Sequence, residues 1–441
     1  MADPMKVKAR LTALIDQLGI ERAHFGVQNT AELDPIIAEQ SGRIATLTMV
    51  GPNRLQASTL EPVQDRLLIA YGGDGAGAEA AKVALPNLPR AQSHCLTNFT
   101  VLTWTDVLAD RGEEIMPVWC DFLNRAERVK PATVLSLNKD EGEVEEISYR
   151  AKGQGPAVIL LPMLLSASQW DPIVNQLASD YCVISLGGRH LGGVSFIDGR
   201  GRDPGYVRAV RSHVDEIEIQ PGETILDVGC GPGTLDRWLA RRTNGANPIQ
   251  SVDINGYFLR EAATLVEAEG LQDIITFGKG NAEDLPFPEN NFDIVMSHTV
   301  MEECDADKML AEMIRVAKPG GRVAVMVRAT DRRSLWNMPL NDTVRKIVET
   351  PVPSVGVGGC ADVSLYSRFG KSGLIDLRLF PTTMTVTDPE SYSWRYYEPY
   401  IYSLLDEAGI AQWQDAKAAA IEDGSIMMAR WMHCAVGTKP Q

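Results

Sequence analysis

The chain is poor in positive charge and has no long apolar run. Its 42 Lys and Arg stand against 58 Asp and Glu, giving a formal charge of −16 at pH 7. Affinity for DNA or RNA comes largely from Lys and Arg releasing phosphate counterions, so no nucleic-acid partner is expected. The longest greasy stretch, AVILLPMLL from residue 157, carries a proline and is too short to span a bilayer, so no membrane partner is expected. The opening MADPMKVKARLTALIDQLGI has Asp and Lys where a secretory signal needs an apolar core. Its Val7, Leu11, Leu14, Ile15 and Leu18 fall at helical spacing instead. The seven cysteines (95, 120, 182, 230, 304, 360 and 434) include no close pair at metal-ligand spacing. No metal site is expected, and the scatter points to reduced thiols in a cytoplasm.

A length of 441 residues exceeds what one hydrophobic core supports, so two or three domains are expected. Strand and helix patterns alternate from the start: RAHFGV, AELDPIIAEQ, RIATLTMVGP, RLLIAYGGDG, GAEAAKVAL, AQSHCLTNF and IMPVWCDFLNRAE. This predicts α/β architecture with a parallel sheet. Residues 10–128 resemble the C-terminal half of an α/β-hydrolase, from the nucleophile-elbow strand to the final helix. After the acidic NKDEGEVEE, residues 147–195 resemble the N-terminal half of the same family. The halves stand in reversed order, which implies a permuted domain: 1–135, a linker at 136–146, and 147–200 completing the same sheet. A swapped dimer is the rival arrangement, and a homodimer through this region is one the reading allows. The catalytic parts are missing, since Gly26, Val27, Gln28, Asn29 and Thr30 replace GxSxG, no histidine follows in TVLTWTDV, and LLPM replaces the HG pair. His24 and His94 lie within strands and read as satisfied residues. The region is therefore expected to be non-hydrolytic, serving oligomerisation or the acceptor pocket.

The chemistry is expected further on. ETILDVGCGPGTLDRWLARR, 223–242, reads as a short strand ending near Asp227, a turn with Gly229, Gly231 and Gly233, and a helix. The glycines let the turn bend and let a ligand approach the backbone, and the helix N-terminus supplies partial positive charge. Asp253 ends the next strand, 24 residues beyond Gly229, where a carboxylate can accept from both hydroxyls of a ribose. The register is GxGxG, with Thr234 where a dinucleotide fold wants a third glycine.

With GNAEDLPFPENNFDIVMSHTVMEEC and EMIRVAKPGGRVAVMVRA, residues of about 205–441 resemble a class I S-adenosylmethionine-dependent methyltransferase of the ubiquinone and menaquinone biosynthesis kind. The resemblance implies a Rossmann-like domain over 201–441 and S-adenosyl-L-methionine as cofactor. Asp227, Gly229, Gly231 and Gly233 would embrace its methionine part. Asp253 would hold the ribose, Ile254 would pack on the adenine, and Asn281 beside Ala282 would bond the adenine amino group through its side-chain oxygen. The segment from Ser297 to Glu303 would border cofactor and acceptor, which makes His298 and Glu302 the candidate catalytic residues. Tyr366, Phe369, Trp394, Tyr396 and Tyr397 are candidate walls of an aromatic acceptor pocket, although aromatics at helical spacing are more often core. The expected function is methyl transfer to a small-molecule acceptor. The alternatives are a non-catalytic cofactor-dependent scaffold or sensor, or a cofactor-bound decarboxylase or cyclase.

Overall fold

The computed structural model describes residues 4–102, 104–188, 190–351 and 355–441. They divide into two compact units, Met1–Ser195 and Phe196–Gln441.

The first unit is built on one sheet. Its strands are β1 (Ala23–Val27), β2 (Ile44–Val50), β3 (Leu67–Asp74), β4 (Gln92–Thr100), β5 (Val134–Leu135), β6 (Glu141–Val144), β7 (Ile147–Lys152), β8 (Gly155–Leu160) and β9 (Cys182–Gly187). The order is β4-β3-β2-β1-β8-β9-β7-β6, with β5 paired to β8. Strands β1 to β4, β8 and β9 run parallel, and β7 and β6 close one edge antiparallel. All residues of β1 and β2 are buried, as expected of central parallel strands with both faces covered. One face packs on Leu11 and Leu14 of the first helix, the other on Trp119 and Trp170. Strand β8 lies beside β1, with Phe25 opposite Ile159.

The stretch expected as a linker, 136–146, contains strand β6, which forms a hairpin with β7. Its two-residue turn places Glu145 and Glu146 at φ 48° and 63°, the left-handed geometry that matches strand twist in tight hairpins. The acidic composition masked a strand whose one buried residue is Val144.

Gln28 follows β1 at the expected elbow and is buried. Its Nε2 donates to the Gly51 carbonyl at 3.1 Å, and its Oε1 accepts from the Leu164 N–H at 2.8 Å. His24 is held between Thr46 at 2.8 Å and Glu127 at 2.9 Å.

The second unit carries β10 (Ile225–Val228), β11 (Ile249–Asp253), β12 (Ile275–Lys279), β13 (Phe292–His298), β14 (Ala317–Arg328), β15 (Leu335–Asn337), β16 (Ile375–Val386) and β17 (Met427–Thr438). The order is β12-β11-β10-β13-β14-β17-β15, with β16 on β17. Strands β10 to β14 are parallel, and β17 runs against β14. The chain steps outward from β10 to β12 and then resumes at β13 on the other side of β10. In open α/β sheets such a reversal opens a crevice at the carboxyl ends of the strands, here between β10 and β13. One face packs on the helices Ala306–Val316 and Ser364–Lys371, the other on Pro204–Asp215 and Thr234–Arg242.

Replacing Gln28 with Leu should strand the buried Gly51 carbonyl and leave the Leu164 N–H, on a residue 36% exposed, to solvent. At about 1–3 kcal/mol for an unsatisfied buried group, a loss of roughly 1–3 kcal/mol is expected, read by urea unfolding. A loss below about 0.5 kcal/mol would show that the amide bridge is dispensable.

Candidate functional site

The crevice is built from backbone first. Gly229, Gly231 and Gly233 have φ of 79°, 53° and 69°, a region that side-chain-bearing residues rarely adopt. A Cβ at Gly229 would collide with Val300, whereas one at Gly231 would meet nothing within 4 Å. The loop is thus packed at its first glycine and open at its second. Gly233 precedes the helix Thr234–Arg242, whose free N–H groups favour negative or electron-rich ligand atoms.

Three carboxyl groups surround this loop. Asp253 accepts from the Gly231 N–H at 2.9 Å and the Asn255 N–H at 2.9 Å. Burial raises its pKa above the usual carboxylate value, and these N–H groups oppose the shift. Asp227 is buried, and its carboxyl is pushed well up by burial and by the neighbouring Asp236. Asp236 is raised to about 6, again by burial first, and neither of its oxygens has a hydrogen-bond partner among the described residues. Two neighbouring buried carboxyl groups do not readily ionise together, so Asp227, pushed higher, keeps its proton.

Arg237 fixes the loop from below. Its side chain is buried, its Nη1 donates to the Pro232 carbonyl at 2.8 Å, and its Nε bonds Glu269 at 2.9 Å while Nη2 pairs with Asp198.

The other side of the crevice comes from the end of β13. Ser297 Oγ donates to the Val228 carbonyl at 2.7 Å, tying β13 to β10. His298 is buried and neutral, its basicity driven well down by burial and by His213. Thr299 turns the chain at φ 59°, an unusual conformation for a β-branched residue and one concentrated at functional sites. Glu302 is fully buried, and its Oε1 accepts from the Arg328 N–H at 2.8 Å and Nε at 3.3 Å. Its Oε2 has no partner among the described residues. Tyr206 stands beside Asp227, Tyr397 and Glu302, with the Arg200 guanidinium 5.3 Å from its ring centroid.

Asn281 is exposed, and its Oδ1 accepts from the Glu283 N–H at 3.0 Å with a second lone pair left for another donor. Other expectations change. Glu302 is not an isolated carboxylate, because Arg328 neutralises it. Trp394 lines no pocket: it is fully buried against Trp336 and Trp413, with ring centroids 5.2 and 6.5 Å away. Phe369 is core, and Tyr366 spends its hydroxyl on His433 Nδ1 at 2.9 Å. The Tyr397 ring lies 4.0 Å from the Arg430 guanidinium. The Tyr396 side chain lies outside the described residues. Ala282 is half-buried, and Ile254 is 55% exposed, free to receive a flat ring. Sequence reasoning missed Tyr206, His213, Asp236, Arg237 and Arg328.

Among the described residues no cluster of His, Cys, Asp and Glu is arranged to hold a metal ion, and no helix is long and apolar enough to cross a membrane. The donor set instead fits a nucleoside: an open glycine, a carboxylate for a ribose and an exposed apolar side chain for a base.

Parts of the chain are similar to known proteins. Residues 226–325 match the methyltransferase domain family. Methyltransferase GfsG of Streptomyces halstedii is 32% identical over 139 residues, 31% of this chain and 46% of that protein. The ubiquinone/menaquinone biosynthesis C-methyltransferase UbiE of Hahella chejuensis is 34% identical over 181 residues, 40% of this chain and 68% of that protein. The solved YcgJ protein of Bacillus subtilis aligns over 53% of this chain and 99% of its own, at 18% identity and a TM-score of 0.38. The chain belongs to the S-adenosylmethionine-dependent methyltransferase family that includes these C-methyltransferases. Against some of these relatives it spans less than half of their length, 46%, 45% and 48% for three of them.

The buried carboxyl of Asp236 sets a pH dependence. A carboxyl raised from 3.8 to about 6 binds its proton more tightly folded than unfolded, so stability is full below the unfolded value and declines as pH rises through the folded one. At about 1.4 kcal/mol per pH unit, Asp236 should cost the ligand-free protein roughly 3 kcal/mol between about pH 4 and pH 7. Asp236→Asn should flatten that decline in urea unfolding; an unchanged pH profile would show that burial does not hold a proton on Asp236.

Proposed function

We propose that the second unit binds S-adenosylmethionine in the β10–β13 crevice and transfers its methyl group to a small-molecule acceptor. The observation that carries this reading is the conjunction of open space at Gly231 with the Asp253 carboxylate, which holds the Gly231 and Asn255 N–H groups and retains lone pairs for two ribose hydroxyls. Gly229, Gly231 and Gly233 would lie along the methionine part, with Asp227 behind them. Ile254 would pack on the adenine, and Asn281 and Ala282 would border it. The cofactor supplies an electrophilic methyl group on a sulfonium. Asp236 and Asp253 make the pocket electronegative, which suits the sulfonium and ammonium charges.

Catalysis then rests on position, because an in-line displacement needs the acceptor atom held behind the methyl carbon with water kept out. Ser297 fixes the ends of β10 and β13, and His298 and Glu302 are the acceptor-side polar groups. Glu302 holds Arg328 by an ion pair, so that guanidinium is set in place before any acceptor arrives.

The first unit is a non-hydrolytic relative of the α/β-hydrolases in permuted order. Support comes from β8 pairing with β1 and from Gln28, whose amide fills the place of a nucleophile and takes the Leu164 N–H. Gln28→Ser should therefore show no ester hydrolysis, since His24 is committed to Thr46 and Glu127 and is not free to act as the base. Appreciable turnover of a nitrophenyl ester would sink this assignment.

The transfer itself is tested by incubating the protein with methyl-labelled S-adenosylmethionine and a small-molecule extract. Labelled product together with S-adenosylhomocysteine is expected. Cofactor binding without transfer would favour a scaffold, and product without loss of the methyl group a decarboxylase or cyclase. Asp253→Ala should weaken S-adenosylhomocysteine binding by roughly 2–4 kcal/mol in calorimetry, because two hydroxyls and the Gly231 N–H lose their acceptor. Unchanged affinity would overturn the assignment of the ribose site.

A further inference from the structure

His213 and His298 make contact deep in the second unit. Nδ1 of His213, on the helix Pro204–Asp215, lies 3.0 Å from Nε2 of His298, at the end of β13. The rings meet nearly edge to face at 73°. His213 is fully buried and His298 only 8% exposed. Burial holds both neutral, His213 down to about 4.

Their proton positions follow by elimination. Nε2 of His213 faces the Ala435 carbonyl at 3.4 Å, and only a nitrogen bearing hydrogen can do so favourably. A neutral His213 then has a lone pair on Nδ1. Two lone pairs would repel across 3.0 Å, so Nε2 of His298 carries the hydrogen and donates it. Nδ1 of His298 is left as a bare lone pair, buried and without a partner among the described residues. An unpaired buried acceptor costs about 1–3 kcal/mol, a cost that a bound donor would relieve.

We propose that His213 is a positioning residue that locks His298 in the Nε2–H tautomer, so that His298 Nδ1 receives the proton of a methyl acceptor bearing a hydroxyl or another polarised X–H group. The proposal rests on the methyltransferase reading and deepens it. As the bond from the acceptor atom to the methyl carbon forms, the carbon–sulfur bond breaks and sulfur keeps the electron pair as a neutral thioether. The acceptor's proton passes to His298 Nδ1. The resulting imidazolium still donates through Nε2 to the neutral His213, which stabilises it as a hydrogen-bonded acceptor.

The other titratable groups at this end of the sheet have different work. Asp227 from β10 and Asp236 from the helix Thr234–Arg242 are held towards their protonated forms by burial. From the segment after β13, Glu302 is paired with Arg328 from β14, and Tyr206 comes from the same helix as His213. A buried weak base such as His298 suits an acidic acceptor, an enol or a phenol, and not an aliphatic alcohol.

The test is nitrogen NMR of the full chain labelled at its six histidines, assigned with His213→Phe and His298→Asn. His298 is expected as a single neutral Nε2–H tautomer in the wild type and as a mixture in His213→Phe. An Nδ1–H tautomer in the wild type overturns the proposal without touching the cofactor site. At saturating cofactor, label transfer into the small-molecule extract should fall about tenfold or more in His213→Phe. S-adenosylhomocysteine affinity should stay within about twofold. His213→Asn, whose side-chain oxygen can still accept from Nε2, should recover most of the rate. Full transfer by a folded His213→Phe would also refute the proposal. Failure of the wild type to bind S-adenosylhomocysteine would instead strike the methyltransferase reading while leaving the tautomer result standing.

Discussion

Desolvation of ionisable groups at the carboxyl ends of β10, β11 and β13 is the constraint on which the site depends. Water is excluded from Asp227, Asp236, His213, His298 and Glu302, and Arg237 and Arg328 are the cations that act on them. Charge is expensive in such a place, so protons are redistributed: Asp227 keeps one, both imidazoles lose theirs, and Glu302 retains its charge only beside Arg328. The same economy shapes the backbone. The glycine loop is held by Asp253 through the Gly231 N–H and by Arg237 through the Pro232 carbonyl, so carboxylate and guanidinium fix the loop from two sides.

The two units use one architectural rule to opposite ends. Parallel strands carry loops to one edge of a sheet, and polar groups collect there. In the first unit Gln28 satisfies both the Gly51 carbonyl and the Leu164 N–H, and His24 is bonded at both ring nitrogens. Those two side chains are satisfied, although Asn29 Oδ1, on the next residue of the chain, is buried without a partner among the described residues. In the second unit, acceptor atoms remain unpaired at His298 Nδ1 and Glu302 Oε2, and Gly231 faces open space. Unsatisfied buried acceptors lower stability, and the two on the segment after β13 fit a surface to be completed by a ligand.

Local signals made much of this legible in the sequence. Strand, glycine turn and helix at 223–242 are specified by short-range pattern, and the position of Asp253 by the length of one βα unit. What stayed hidden depends on three-dimensional neighbours. The apolar spacing of Leu235, Trp238 and Leu239 marks the core face of its helix but gives no hint that Asp236 and Arg237 beside it are also buried, one against Asp227 and the other beneath the loop. His213 and His298 are 85 residues apart, and no spacing rule joins a helix residue to a strand end across a sheet. Trp394 was open for the reverse reason: aromatics at helical spacing look alike whether they line a pocket or, as is more common and as here, pack in the core, on Trp336 and Trp413. In NKDEGEVEE, acidic composition outweighed the two-residue turn that makes the hairpin.

A crystal structure of the full chain with S-adenosylhomocysteine tests the central claim most directly. The account predicts the ribose hydroxyls within hydrogen-bonding distance of Asp253, the adenine against Ile254, and the amino-acid part over Gly231. A nucleoside bound elsewhere, or Asp253 making no ribose contact in an occupied site, would contradict it.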